Sequence, residues 1–107
     1  MKNFIHKGRE REFRGQLKSF ESLPIEKQEI FKTIKNKVVE IVGEEIDVYV
    51  FGSHHHGYWD ELSDYDIVIA QPIGLDIQKL LREALPYKID VMHFQRVIDM
   101  YKLHLIA

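Results

Sequence analysis

The chain contains no cysteine. That excludes disulfides and every thiolate metal site, zinc ribbons included, and leans weakly towards a reducing compartment. It also lacks any apolar run near the ~20 residues of a membrane span, and its first residues hold no signal-peptide apolar region. A cytoplasmic protein with no membrane partner is expected. Net charge is scarce too, since 15 Lys and Arg against 17 Asp and Glu leave −2. Such a balance creates no global field for nucleic acid, so direct nucleic-acid binding is not expected, although a local basic patch stays open. There is no internal repeat and no linker that would separate a second domain.

What is present is ordinary globular chemistry, with 45% hydrophobic and 30% charged residues in 107. Such a chain makes one domain with a single core. Charge is unevenly placed. Residues 1–22 carry six Lys or Arg against three Glu, about +3, which leaves about −5 for residues 23–107. Phe13, Leu17 and Phe20 fall at i, i+4 and i+7 and would share one face of a helix, with Gly8 and Gly15 arguing against a continuous one. Two readings are open for this N-terminal arm: a helix or solvated arm of its own domain, and a docking arm for an acidic partner.

Ser22-Leu23-Pro24 reads as a helix entry, followed by Ile30, Ile34, Val38 and Ile41 or Val42 at helical spacing, with Gly43 as the stop. Lys27, Lys32, Lys35 and Lys37 form the expected wet face of that helix. Residues 46–51 become fully apolar, as in a strand entering a buried sheet. Residues 67–70 continue a second strand. Residues 75–85 form a helix with Ile77, Leu80, Leu81 and Leu85 on one face, closed by Pro86. Residues 87–94 form a third strand, and residues 95–106 a last helix with Val97, Ile98, Tyr101 and Leu105 on one side.

The chemistry concentrates between Tyr49 and Ile69. Alternation on a strand points Asp64 and Asp66 the same way. Two neighbouring anions are relieved by a raised pKa or by a bound cation, and a hard divalent ion with carboxylate, water and phosphate ligands is the favoured remedy here. Upstream, Gly52 allows close backbone approach to a ligand, and a helix starting near Ser53 would aim free N–H groups at an anion. The alternative for Gly52 is a plain strand-end turn.

Gly52-Ser53, ten residues, then Asp64-Tyr65-Asp66, with Gly57 and Ser63 also in place, resembles the minimal nucleotidyltransferase (MNT) family of the polymerase-β superfamily, over roughly residues 25–95. The resemblance implies an α/β (α+β) fold, the nucleotidyltransferase core: a small mixed β-sheet with helices packed on one face and carboxylates on the other. It implies that Asp64, Asp66 and Asp90 are catalytic and metal-binding, Asp90 being the strand carboxylate that completes the site. Its other reading is an edge-strand charge. Gly52, Ser53, His56, Gly57 and Ser63 would be the nucleotide-binding residues, ATP the substrate, and Mg²⁺, as two ions, the cofactor. Small stand-alone members are often antitoxins beside a HEPN-domain RNase toxin. The resemblance therefore implies transfer of AMP from ATP to a tyrosine hydroxyl of a cognate HEPN toxin, in a hetero-oligomer with it. The alternatives are an inactive antitoxin that masks the toxin, and transfer to a small molecule or nucleic acid.

His54, His55 and His56 lie inside the motif, where a purification tag is not expected and where adjacent side chains diverge too far for a transition-metal site. In relatives the positions of His55 and His56 often carry Ala and Arg, so His56 is a departure whose charge would depend on pH around ~6.5. Tyr58 and Trp59 have two open roles: stacking a base, or pinning the loop to the core.

Overall fold

The computed structural model of the chain describes residues 3–6, 9–93 and 95–107, with side chains from residue 10 onward, Phe94 excepted. The long helix forms where periodicity places it, as α1 (Ile25–Val42). Phe31, Ile34 and Val38 lie on one stripe and are fully buried, each worth about 1.5–3 kcal/mol of transfer free energy. Gly43 takes a left-handed conformation, and its N–H donates to the Val39 carbonyl at 2.8 Å, which closes the helix. Lys27 departs from the expected wet face: its side chain is buried, and Nζ donates to the Tyr65 hydroxyl at 2.8 Å.

Three strands follow, each tied to a helix. β3 (Val48–Phe51) runs into α2 (Gly52–His56), β4 (Tyr65–Ile69) leads to α3 (Leu75–Ala84), and β5 (Ile89–Met92) precedes α4 (Gln95–Tyr101). The sheet order is β3-β4-β5, with β3 antiparallel and β5 parallel to the central β4. This is the expected mixed sheet. The β4–β5 pair is joined by α3, as a parallel pair requires a crossover. Val48, Val50, Ile67, Ile69 and Ile89 face α1 and Leu81 of α3 in the main core. Leu80, expected on the buried face of α3, is instead exposed. The opposite face carries Val68, against which Ile98 of α4 and Leu103 pack, with Tyr49, Phe51 and Met92 around them. α4 thus covers part of the face that also bears Asp66 and Asp90.

The last helix is shorter than its apolar pattern predicts. It ends at Tyr101, Lys102 adopts φ 52°, and the chain turns to pair with β3. The Val50 N–H donates to the His104 carbonyl at 3.0 Å, and the Ile106 N–H to the Val48 carbonyl at 2.8 Å. Extended chain places Leu103 in one core and Ile106 in the other, a split that one face of a helix cannot achieve.

The N-terminal segment corrects the helical expectation more sharply. β1 (Asn3–His6) and β2 (Arg9–Glu12) pair antiparallel, and residues 13–19 are non-helical up to a short 3-10 turn, Phe20–Ser22. The reason lies in the hydrogen bonding. The Arg14 N–H donates to the Gly57 carbonyl at 2.6 Å, and the Leu17 N–H to the His55 carbonyl at 2.9 Å. These are carbonyls at the end of the short α2, which otherwise lack partners. Leu17 and Phe20 are buried in the main core, so the segment belongs to the domain. The charges of Lys2 and Lys7 lie outside the described residues. No helix among the described residues is long and apolar enough to cross a membrane.

Candidate active site

β3 delivers Gly52 to the sheet edge with φ +63°. A Cβ at this position would fall inside the Asp66 carboxylate, so any side chain here would displace it. Asp66 lies on the central strand, in register with Phe51 of β3 and with Asp90 of β5. Asp64 stands just before β4 and is half-buried. The three carboxylate residues of the expected site are therefore gathered at one end of the β4–β5 pair, next to the turn from β3 into α2. Asp90 is the most open: its side chain is 61% exposed, and its Oδ1 lies 3.8 Å from an Arg82 guanidinium nitrogen. Arg82 is itself anchored, Nε donating to the Ile89 carbonyl at 2.9 Å. A groove of about 340 Å³ runs between Asp64 and Asp90, lined by Arg82, Tyr87 and Lys88.

The oxygen-only donor set suits a hard divalent cation. Among the described residues no group of three or more His, Cys, Asp or Glu is arranged to hold a metal. A closed protein cage is not what Mg²⁺ needs, because it usually takes one or two carboxylates and completes its shell with water and substrate phosphates. Asp66, held against Gly52, and Asp64, two residues away, fit that requirement. Asp90 lies in register with Asp66 on the neighbouring strand.

With this geometry in view, comparison with known families is decisive. A family model described as "nucleotidyltransferase domain" matches residues 31–104. The chain belongs to the nucleotidyltransferase domain family. No curated protein matches it. The polymerase-β-like superfamily read from Gly52-Ser53 and Asp64-x-Asp66 is thus the one found, and nucleotidyl transfer is the chemistry that the family carries.

In this nucleotidyltransferase domain the loop between the two motifs has a structural job. The Ser63 hydroxyl accepts the Asp60 N–H at 2.8 Å and donates to Asp60 Oδ1 at 3.1 Å, so buried Ser63 closes its own turn. Gly57 ends α2 with φ +90°, and a Cβ there would strike the Gly15 carbonyl. Trp59 is sandwiched, with the Arg14 guanidinium 4.1 Å from its ring centre and the His54 ring stacked at 5.7 Å. Tyr58 leans on Phe13 at 4.9 Å. Both aromatics thus make protein contacts that pin the loop.

The histidines of α2 diverge. His54 points into the main core, stacked on Tyr65 at 5.0 Å and edge-on to Phe31. Burial pushes its pKa down to about 3, with help from the positive charges of Lys27 and Arg11. His55 is fully buried among His56, Tyr101 and His104, and burial pushes it down to about 4. His56 is half-buried near Phe51 and Tyr101, and burial lowers its pKa as well. It is therefore neutral near pH 7 and can offer a phosphate an N–H but no charge. Sequence reasoning missed Lys27, Arg14 and His54 as one network around Trp59. The signal was faint: a lysine in the first turn of an otherwise apolar helix stripe, and a tryptophan flanked by histidine.

Proposed function

We propose that this domain transfers AMP from ATP to a tyrosine hydroxyl of a HEPN-domain RNase toxin and thereby neutralises it. The observation that carries the proposal is the fit of Gly52 against Asp66, with Asp90 next in register on β5. Gly52 and Ser53 would receive the triphosphate. Asp64 and Asp66 would hold Mg²⁺, as two ions with Asp90 completing the shell on the acceptor side; the metal would supply charge neutralisation on the phosphate oxygens. The acceptor oxygen attacks the α-phosphorus, one P–O bond forms, the bond to the β-phosphate breaks, and pyrophosphate leaves in line. Asp90 takes the tyrosine proton, which its exposure permits. Arg82 keeps the Asp90 carboxylate aimed at the groove. The setting would be cytoplasmic, in a complex with the toxin.

Purified protein, ATP and Mg²⁺ should convert the toxin encoded beside it to a species heavier by one or more AMP groups, and Asp66→Asn should abolish the product. A second reading, a masking antitoxin without transfer, is favoured by one observation: neutral His56 stands where relatives often carry a cationic Arg. It predicts toxin neutralisation by Asp64→Ala with Asp66→Ala and no mass shift. That pair of results would overturn the enzymatic proposal.

A further inference from the structure

A cavity of about 280 Å³ lies between the N-terminal segment and the start of α1. Its walls include Arg14, Gln16, Lys18, Ser22, His54 and Trp59. Its charge is one-sided. Arg14 and Lys18 line it, and among the described residues no carboxylate is in the wall. Lys27 and Arg11, both buried, add positive charge at His54, against which Asp60 supplies the opposing negative charge. The Arg11–Asp60 pair is long at 3.8 Å, and Arg11 Nε has no hydrogen-bond partner.

Two further features point to a missing ligand. His54 is 1% exposed, forms part of the cavity wall, and neither ring nitrogen has a hydrogen-bond partner. Buried polar groups of this kind are rare, and each calls for an explanation such as an ion or ligand. The 18-residue α1 also begins here without a side-chain cap: Pro24 occupies the cap position and lines the cavity together with Leu23. The wall reaches the helix at Pro24, close to the positive end of its dipole, which favours an anion.

We propose that this cavity is a second binding site that takes the phosphate group of a small phosphorylated molecule. The Arg14 and Lys18 side chains hold the phosphate oxygens near the positive end of α1, and the neutral His54 ring offers one N–H. The cavity shares no lining residue with the groove between Asp64 and Asp90. Its occupant is free inorganic phosphate or a phosphate ester, and the two share the same anchoring chemistry.

The test follows the ring signals of His54 by NMR in ¹⁵N-labelled full-length protein, without Mg²⁺, during titration with inorganic phosphate and, separately, with AMP. Saturable shifts of His54 are expected in the millimolar range, about −4 kcal/mol in affinity terms. Tighter binding of AMP would identify an ester as the occupant, and equal binding would identify the free ion. Lys18→Glu alters an exposed side chain and should weaken binding about tenfold without changing the melting temperature, whereas Ser53→Ala, at the transfer site, should leave it unchanged. Absence of saturable His54 shifts up to ~50 mM, more than an order of magnitude above millimolar binding, would overturn the site. So would wild-type affinity in Lys18→Glu, or loss of the shifts in Ser53→Ala. None of these results bears on AMP transfer, which is read by mass.

Discussion

Acid should destabilise this domain through its buried histidines, and His54 can be isolated from His55 by substitution. His54 has an unfolded pKa near 6.5 and a folded value of about 3. Between these two values the unfolded chain binds a proton that the folded chain refuses. The stability tied to neutral His54 is fully present above pH ~6.5 and falls as pH drops towards the folded value. At pH ~4.5, two units below the unfolded pKa, the loss is about 3 kcal/mol. That is a large part of the ~5–15 kcal/mol by which small domains are stable. Lys27, Arg11 and Asp60 set the local charge and stay in place in the control. His54→Phe keeps an aromatic ring between Trp59 and Tyr65 while removing the titration. Urea unfolding of both proteins at pH ~7.5 and ~4.5 should show the wild type losing about 3 kcal/mol more than the variant across that interval. Equal losses would show that His54 is protonated in the folded state, and the account of its burial would fail.

Gly52→Ala should abolish nucleotidyl transfer, because its Cβ displaces the Asp66 carboxylate, and should cost about 1–2 kcal/mol for the left-handed backbone alone; retained activity by the mass assay would contradict the reading. Phe31→Ala, at a fully buried position, should lose about 3–5 kcal/mol in urea unfolding. Ile106→Ala should lose about 2–5 kcal/mol, showing that the C-terminal residues are structural, and a loss under 1 kcal/mol would refute their burial. Chelation of divalent cations should stop transfer while leaving the circular dichroism spectrum unchanged, since the core is built from buried apolar side chains away from the carboxylates.

Much of the molecule was legible because short-range rules govern it. The spacing of Ile30, Ile34 and Val38 specifies α1, Gly43 its end, and the apolar runs β3 and β4. Gly52-Ser53 and Asp64-x-Asp66 were legible as the motifs on which the superfamily was read, since each lies within a few residues of sequence. Asp90 was reachable as a strand carboxylate, but its place beside Asp66 depends on the parallel pairing of β5 with β4. Helical spacing misled at both termini. Phe13, Leu17 and Phe20 fit a helix, yet that segment serves α2's unpaired carbonyls as extended chain, and the stretch after Tyr101 leaves its helix to place Leu103 and Ile106 in two different cores.

By itself the sequence determined the nucleotidyltransferase superfamily and the order of the main helices and strands from α1 to α4, which rest on local periodicity and motif spacing. Only the tertiary structure decided what the histidines, Trp59 and Lys27 do. Their roles depend on which surfaces exclude water, and desolvation is a property of the packed whole that no spacing along the chain encodes.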